Sequence, residues 1–420
     1  MTSKPGPLWS PMIPPDLQGA DELCAVSARG VRIRYADGHE LLCGTSGLWN
    51  ANLGYGNAVI TQAAADALHD ASYLSLHQYE NVYARRAAEA LIGICGPEHY
   101  GRVLFSTSGG AANDLVMKLA RQYHVLRDEP GRKAVTALKG CWHGLTFGSF
   151  ALTSDSLGQR MYGVDRRMVV HVQPNEPAEL ESLLAKHGTQ IAMVVVEPVL
   201  GTGAVALTDA YVADLVRLRC EHGFLLVADE VATGFGRTGT WFASERWPEP
   251  PDVLITSKGL TNGTSAIAAV VVSHAVADTF TDARAVLAHA ETQAGTPVTC
   301  ATILATIDEM RRLDAVARAA ALSERLDTEL ARLLAEEPMV AEATGRGCFR
   351  SVRLRGADGG RLPSGEVPAV LAAIRRAGAV VHAAPDGIQL LPALTYTEEN
   401  LAELLDCVRR GLAAYTKERA

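Results

Sequence analysis

Short apolar segments alternate with helical segments from residue 102 onward, and this alternation constrains the fold more than any other feature. The apolar runs are nearly continuous, which is typical of strands buried on both faces of a parallel sheet. The predicted strands are 102–106, 133–138, 168–172, 191–197, 224–229, 252–256 and 266–273, with helices at 110–127, 177–187 and 208–222. The pattern predicts an α/β fold with a mostly parallel, seven-stranded sheet covered by helices.

The rest of the chain predicts a smaller second α/β domain. Residues 1–20 are rich in proline and predict an extended arm. Two strands are predicted at 31–35 and 39–43, and a long helical region at about 298–336. Further strands are expected near 347–355 and 379–390, and helices at 57–71, 80–94, 366–377 and 397–415. We predict an arm with part of the small domain at 1–56, a large domain at 57–300 and a C-terminal small domain at 301–420.

Composition excludes several classes of protein. The 420 residues are 48% hydrophobic and 20% charged, as in an ordinary globular protein. A net charge of −8 gives no general attraction to nucleic acid or to an anionic membrane surface. No apolar run reaches the ~18 residues that a membrane helix needs. Eight scattered cysteines form no Cys-x-x-Cys pair, so we expect reduced thiols and a cytoplasmic protein.

Residues that can carry chemistry follow the predicted strands, at the sheet edge where α/β proteins bind ligands. The first strand leads to Ser108, Gly109 and Gly110 at the start of a helix. Free N–H groups and the helix dipole favour a phosphate there. The second strand leads to Trp142 and His143, which offer a ring for stacking on a flat heterocycle. Each pattern alone has a plain explanation, such as a tight turn or a half-buried tryptophan.

A carboxylate and a lysine follow two further strands. Asp229 ends one strand, and Lys258 follows the next, 258 − 229 = 29 residues later. Alone, the lysine would be a surface residue and the aspartate a helix cap or an ion-pair partner of Arg237. Together with the phosphate cradle and the aromatic ring they match the needs of pyridoxal phosphate. This cofactor requires a carboxylate to keep its ring nitrogen protonated and an amine to form a Schiff base.

These motifs resemble the class III aminotransferases, which are fold type I pyridoxal-phosphate enzymes. The most specific part is DEVATGFGRTG (229–239) followed by SKG (257–259). Similar runs are FSTSGGAAND (105–114), CWHGLTFGS (141–149) and VVVEPVLGTGA (194–204), so the resemblance covers most of the chain. It implies a transaminase that binds an amine donor and a carbonyl acceptor and forms a homodimer with shared active sites.

The resemblance also implies roles for individual residues. Lys258 would form the Schiff base and move the substrate proton, and Asp229 would pair with the ring nitrogen. Val231 and Trp142 would pack against opposite faces of the ring, and Glu230 would line the site. The other implied cofactor contacts are Ser108, Gly109, Gly110, His143, Glu197 and, from the neighbouring subunit, Thr292.

Departures from the family pattern bear on the substrate. The phosphate loop usually reads Ser-Gly-Ser/Thr-Glu-Ala, but here it is Ser-Gly-Gly-Ala-Ala at 108–112. An arginine that grips a substrate carboxylate in many relatives is replaced by His382, and the nearby Gln389 is not basic either. Trp9 lies in a Trp-x-Pro start similar to that of diaminopelargonic-acid aminotransferases, whose arm helps to cover the substrate. We expect an acceptor ketone or aldehyde without a carboxylate near the reacting carbon.

Several functions stay open from the sequence. The missing arginine fits daptide-type enzymes of this family, which aminate a peptide's C-terminal ketone in ribosomal-peptide natural-product biosynthesis. The alternative is a 7,8-diaminopelargonic-acid-type or other ω-amine aminotransferase. Arg346 and Arg350 are candidate anion binders, and a structural role is an equal alternative for them. Aminomutases, decarboxylases and racemases share this fold, so these activities also stay open. A non-catalytic binding protein of this fold would tolerate loss of Lys258. A dehydrogenase or metal enzyme is disfavoured, because the Gly-x-Gly-x-x-Gly motif and metal-ligand spacing are missing.

Overall fold

The computed structural model of the chain describes residues 6–154 and 156–419. Its strands are β1 Ala25–Arg29, β2 Arg32–Tyr35, β3 Glu40–Cys43, β4 Tyr100–Ser106, β5 Ala134–Leu138, β6 Val169–Val172, β7 Ile191–Val196, β8 Val199–Leu200, β9 Val205–Ala206, β10 Leu225–Asp229, β11 Val253–Thr256, β12 Ala268–Ser273, β13 Val340–Arg346, β14 Phe349–Leu354, β15 Ala379–Val380, β16 His382–Ala384 and β17 Gly387–Leu390.

The central sheet has the strand order β4-β12-β11-β10-β7-β5-β6. Strand β12 is antiparallel to both of its neighbours, and the other six strands run in one direction. The predicted seven-stranded, mostly parallel sheet is therefore confirmed. It places the carboxyl ends of β4, β5, β7, β10 and β11 at one edge, where their following loops meet.

Helices cover both faces of this sheet. Helices of six or more residues are Ala58–Asp70, Val82–Cys95, Gly109–Leu126, Phe147–Leu152, Pro177–His187, Asp209–His222, His274–Asp282, Pro297–Arg312, Ala315–Glu336, Val367–Ala377 and Glu398–Arg419. Alternate residues of β11 show the two layers, because Val253 and Ile255 join one apolar cluster and Leu254 joins the other. Burying each such side chain contributes roughly 1.5–3 kcal/mol.

The long helical region predicted at 298–336 is two helices. They meet at Leu313 and Asp314, and the backbone of Asp314 is left-handed with a φ of 50°. A left-handed residue cannot continue a right-handed helix, so the chain turns there. Neither leucine nor aspartate is a strong helix breaker, so the helical periodicity of the sequence did not reveal the turn.

Three smaller sheets complete the fold. One is antiparallel, with the order β13-β14-β17-β16, another has the order β1-β2-β3-β15, and the third is the two-stranded pair β8-β9. Strand β15 pairs with β3 in parallel, which brings N-terminal and C-terminal parts of the chain together. The sequence analysis missed β1 and β13. All five residues of β1 are exposed, so no apolar alternation marks it.

The N-terminal arm lacks a strand from residue 6 to residue 20, and a short 3-10 turn is present at Pro15–Leu17. The first five residues of the predicted arm lie outside the described residues. Among the helices that the structure describes, none combines the length and the apolar character needed to cross a bilayer.

Candidate functional site

A cavity of about 270 Å³ lies at the carboxyl ends of the central strands. Loops following β4, β5, β7, β10 and β11 form its walls, as expected for a ligand site in a parallel sheet. The structure brings together most of the predicted site residues, because the cavity is lined by Ser108, Gly109, Gly110, Trp142, His143, Glu197, Asp229, Val231 and Lys258.

One wall is the N-terminus of the Gly109–Leu126 helix. The Ser108 hydroxyl accepts a hydrogen bond from Ala111 N–H at 3.2 Å, which caps the helix. The N–H groups of Gly109 and Gly110 have no acceptor within the described chain and belong to the unpaired first turn. A Cβ atom on Gly109 would lie 3.2 Å from both γ-carbons of Val231. The free backbone N–H groups and the helix dipole favour a phosphate at this wall. The glycines also leave room for a ligand to approach the backbone closely.

Asp229 anchors a buried polar network next to this helix. One carboxylate oxygen accepts hydrogen bonds from His143 Nδ1 at 2.7 Å and Asn113 Nδ2 at 2.9 Å. The other accepts from Val231 N–H at 3.1 Å. An ionised carboxylate has about four acceptor positions, so one is left for a donor in the cavity. Burial disfavours charge on His143, but Cys141 and Asp229 outweigh it and raise the pKa of His143 well above its usual range.

Lys258 begins a 3-10 turn directly after β11 and has a left-handed φ of 49°. Its Nζ lies 4.3 Å from the centre of the Trp49 ring. Burial lowers the pKa of Lys258 to about 8, although Asp229 and Glu197 act in the opposite direction. A substantial fraction of the amine is therefore neutral near pH 7–8, which a nucleophilic lysine requires.

Glu197 lies close to this lysine. Its carboxylate accepts hydrogen bonds from the N–H groups of Trp142 at 2.8 Å and Gly201 at 3.0 Å. Burial is the main cause that raises the pKa of Glu197 to about 7. The group therefore changes its charge close to neutral pH.

Glu230 does not line the cavity, so the expectation for this residue is corrected. It is fully buried, accepts a hydrogen bond from the Thr233 hydroxyl, and also accepts from Ser244 N–H at 2.7 Å. Successive residues at a strand end point to opposite sides, so Asp229 faces the cavity and Glu230 faces away. Arg237 does not pair with either carboxylate, since its guanidinium donates to Pro392 O and Asn52 Oδ1, each at 2.5 Å.

Trp49 is a site residue that the sequence analysis missed. It ends a run of four left-handed residues, with φ values of 47° for Ser46, 55° for Gly47, 63° for Leu48 and 68° for Trp49. The Trp49 ring contacts the His382 ring edge-on, with a centroid distance of 5.6 Å. Nothing in Ser-Gly-Leu-Trp except the glycine signals a left-handed turn.

His382 and Gln389 are register partners on β16 and β17. Burial and the nearby Lys258 lower the pKa of His382, so the ring is neutral at pH 7. Gln389 donates through Nε2 to the Gly201 carbonyl at 2.7 Å. Neither side chain supplies a cation.

No arginine lines the cavity in the part of the chain that the structure describes. Arg346 pairs with Asp209 at 3.1 Å, and Arg350 pairs with Asp327 at 2.7 Å, both outside the cavity wall. The two candidate anion binders are therefore engaged elsewhere.

Four predicted residues, Trp9, Thr292, His382 and Gln389, are not among those that line the cavity of this chain. Trp9 is 86% exposed. Thr292 is exposed as well, and its carbonyl accepts a hydrogen bond from the Tyr73 hydroxyl at 2.9 Å. Across residues 6–154 and 156–419, no group of three or more His, Cys, Asp or Glu side chains is arranged to hold a metal ion.

Comparisons with known proteins identify the family of the chain. The profile of the family described as "Aminotransferase class-III" matches residues 17–412. An acetylornithine aminotransferase of Mycolicibacterium smegmatis is 33% identical over 90% of this chain and 91% of its own. An adenosylmethionine-8-amino-7-oxononanoate aminotransferase of Nitratidesulfovibrio vulgaris is 30% identical over 96% of this chain and 80% of its own. A PLP-bound amine transaminase structure from an uncultivated Pseudomonas species has a TM-score of 0.92 at 27% identity, over 99% of this chain and 100% of its own.

Proposed function

The chain belongs to the class III aminotransferases and is a pyridoxal-phosphate-dependent transaminase, and we propose that its acceptor is a ketone or aldehyde without a carboxylate beside the reacting carbon. The observation that carries this proposal is that no arginine lines the cavity among the described residues. His382, which contacts Trp49, has a lowered pKa, and Gln389 is an amide bonded to Gly201, so neither supplies a cation. A carboxylate bound there without a cation would lose its hydration and gain no partner.

The residues of the cavity fit pyridoxal phosphate. The free N–H groups of Gly109 and Gly110 would hold its phosphate at the helix N-terminus. The remaining acceptor position of Asp229 would meet the protonated ring nitrogen, while Val231 and Trp142 would enclose the ring. When bound, the cofactor supplies an aldehyde for the migrating amino group and a ring that accepts the electron pair released from the substrate carbon.

Lys258 moves the substrate proton in this proposal. Its amine has a pKa of about 8, so it can both take and return a proton near neutral pH. Asp229, which is hydrogen-bonded to His143, would pair with the protonated ring nitrogen. Trp49 covers the amine and limits the access of water to it.

Within this class, we propose the C-terminal ketone of a modified peptide as the specific acceptor, of the kind made in daptide-type natural-product biosynthesis. The second candidate is a 7,8-diaminopelargonic-acid-type or other ω-amine reaction. It is favoured by the similarity to the relative named adenosylmethionine-8-amino-7-oxononanoate aminotransferase. We further propose a cytoplasmic homodimer in which the exposed Thr292 reaches the phosphate of the neighbouring subunit.

A single-turnover screen tests the acceptor class. The cofactor-free protein is loaded with pyridoxamine phosphate, and the growth of the yellow aldehyde-form band is followed after addition of ketones, aldehydes or α-keto acids. Ketones or aldehydes should restore the band faster than keto acids. Conversion by keto acids alone would overturn the proposal. Lys258→Ala serves as the control, because it should bind the cofactor noncovalently but show no turnover.

A further inference from the structure

Glu197 is a carboxylate in the cavity wall that has no ion-pair partner among residues 6–154 and 156–419. The side chain lines the cavity although it is only 3% exposed. One carboxylate oxygen accepts a hydrogen bond from Trp142 N–H at 2.8 Å, and the other accepts from Gly201 N–H at 3.0 Å. A carboxylate has about four acceptor positions, so roughly two are left for a ligand.

This carboxylate lies close to the reacting amine. A Cβ atom on Gly201 would lie 3.0 Å from Glu197 Oε1 and 3.5 Å from two ring carbons of Trp49. The Trp49 ring in turn lies 4.3 Å from Lys258 Nζ. The negative charge of Glu197 also acts on Lys258 and favours its protonated form, which raises the pKa of the lysine against the effect of burial. A group a few bonds away from the reacting amine of a substrate would therefore come near Glu197.

The charged groups around Glu197 do not neutralise it. The titratable groups that face it are His143, Asp229 and Lys258. His143 is paired with Asp229 through Nδ1 at 2.7 Å. Lys258 takes part in the Schiff-base chemistry of the proposed function, so it is not a permanent counterion. A buried carboxylate without a counterion is costly, and a cation on the ligand would stabilise it.

Building on the proposed function, we infer that Glu197 binds an ammonium group that the amine donor carries in addition to its reacting amine. The favoured donor is then a short diamine. Its reacting carbon becomes an aldehyde as the amino group passes to the cofactor, and the second ammonium group is unchanged. A donor with a carboxylate in the same place meets a like charge at Glu197 and, among the described residues, no arginine in the cavity lining.

Donors of equal length test the inference with the protein in its pyridoxal-phosphate form. 1,3-Diaminopropane, 3-aminopropan-1-ol and 3-aminopropanoate differ in the second group, and the loss of the yellow band after mixing gives a second-order rate constant for each. At pH 8 the diamine should react roughly tenfold faster than the amino alcohol, because a charge-assisted hydrogen bond replaces a neutral one. The carboxylate donor should be the slowest. The two-carbon and four-carbon homologues repeat the comparison at other spacings.

Three variants show whether Glu197 is the cause. Glu197→Gln keeps the shape and removes the charge, so the ratio of diamine to amino alcohol should fall about tenfold, whatever loss the two donors share. Glu197→Asp keeps the charge and should retain part of the preference. Glu230→Gln removes a similarly buried carboxylate that faces away from the cavity, and it should leave the ratio unchanged. The cofactor absorption band and the urea midpoint show that each variant is folded and loaded.

The pH dependence identifies the carboxylate itself. Burial raises the pKa of Glu197 to about 7, so the negative charge is mostly absent at pH 6 and mostly present at pH 8. The diamine preference is divided by the same ratio in Glu197→Gln, which cancels the ionisation of the free donors. This normalised preference should rise roughly five- to tenfold from pH 6 to pH 8. A merely structural role of Glu197 would give no such rise.

The possible failures are distinguishable. Equal rate constants for the diamine and the amino alcohol at all three chain lengths would overturn the inference. An equal loss for both donors in Glu197→Gln would also contradict it, because Glu197 would then act on Lys258 or the cofactor and not on the donor. The donor half-reaction is measured without an acceptor, so these outcomes are independent of the ketone screen. If keto acids alone accept the amino group, the proposed function fails while the donor preference is unaffected.

Discussion

Replacing Lys258 with methionine in the cofactor-free protein should make the fold more stable at pH 7. The side chain lies against Trp49 and is desolvated, and burial lowers its pKa from 10.5 to about 8. Methionine has a similar length and no charge, so it removes the cost of burying an ammonium group while it retains the packing.

The pH dependence follows from the protons bound in each state. Between pH 8 and 10.5 the unfolded lysine is protonated while the folded one is not, so the stability of the wild-type protein rises with pH in this window. At about 1.36 kcal/mol per pH unit, the lysine costs roughly 3 kcal/mol at pH 7. At pH 9.5 the cost falls to roughly 1 kcal/mol.

Urea unfolding of the cofactor-free proteins at pH 7 and pH 9.5, at one fixed protein concentration, measures this effect. Lys258→Met should raise the free energy of unfolding by roughly 2–3 kcal/mol at pH 7 and by less than half as much at pH 9.5. The exposed Lys186 provides the matched control, since Lys186→Met should change stability by no more than about 0.5 kcal/mol. A loss of stability at pH 7, or equal gains at both pH values, would refute the desolvation argument.

Substitutions at four further positions test other parts of the site. Asp229→Ala should slow the half-reaction by about 100-fold or more in stopped-flow measurements, and Asp229→Glu should slow it less, because only a carboxylate keeps the ring nitrogen protonated. Gly110→Ser should lower the Kd of pyridoxal phosphate roughly fivefold in equilibrium dialysis, since its hydroxyl adds a donor. The new Cβ would lie 3.3 Å from Ser149 Oγ, so that side chain has to move by a few tenths of an ångström. Gly144→Ser should weaken the same binding, since its Cβ would lie 2.6 Å from Gly110 Cα. His382→Arg should raise keto-acid rates about tenfold relative to ketones, because the new guanidinium can bind the carboxylate. An unchanged ratio would show that a cation at position 382 does not recognise the substrate carboxylate.

The sheet was predictable because its strands are apolar throughout. All six residues of Ile191–Val196 are buried, and such a run has few alternatives in a soluble α/β chain. The exposed strand Ala25–Arg29 was missed because pairing with its neighbour, and not burial, determines its conformation. The short strands are set by tertiary contacts that local patterns do not encode.

The site was predictable where strand ends and glycines mark it, as at Asp229 and Lys258. Asn113 was missed, although it lies one helical turn after Gly109 and therefore points to the same side. Trp49 was missed for a different reason. Its position depends on a left-handed turn that is stabilised by residues distant in sequence, so no local pattern reveals it.

The comparison of a methyl ketone with the α-keto acid of the same chain length tests the central claim most directly. Both are given to the protein loaded with pyridoxamine phosphate, and the single-turnover rate constants are measured over a range of concentrations. Because no arginine lines the cavity among the described residues, we predict a kcat/KM for the ketone at least equal to that for the keto acid. A keto acid that reacts about 100-fold faster than the ketone would contradict the account, because it would require a cation that recognises the carboxylate.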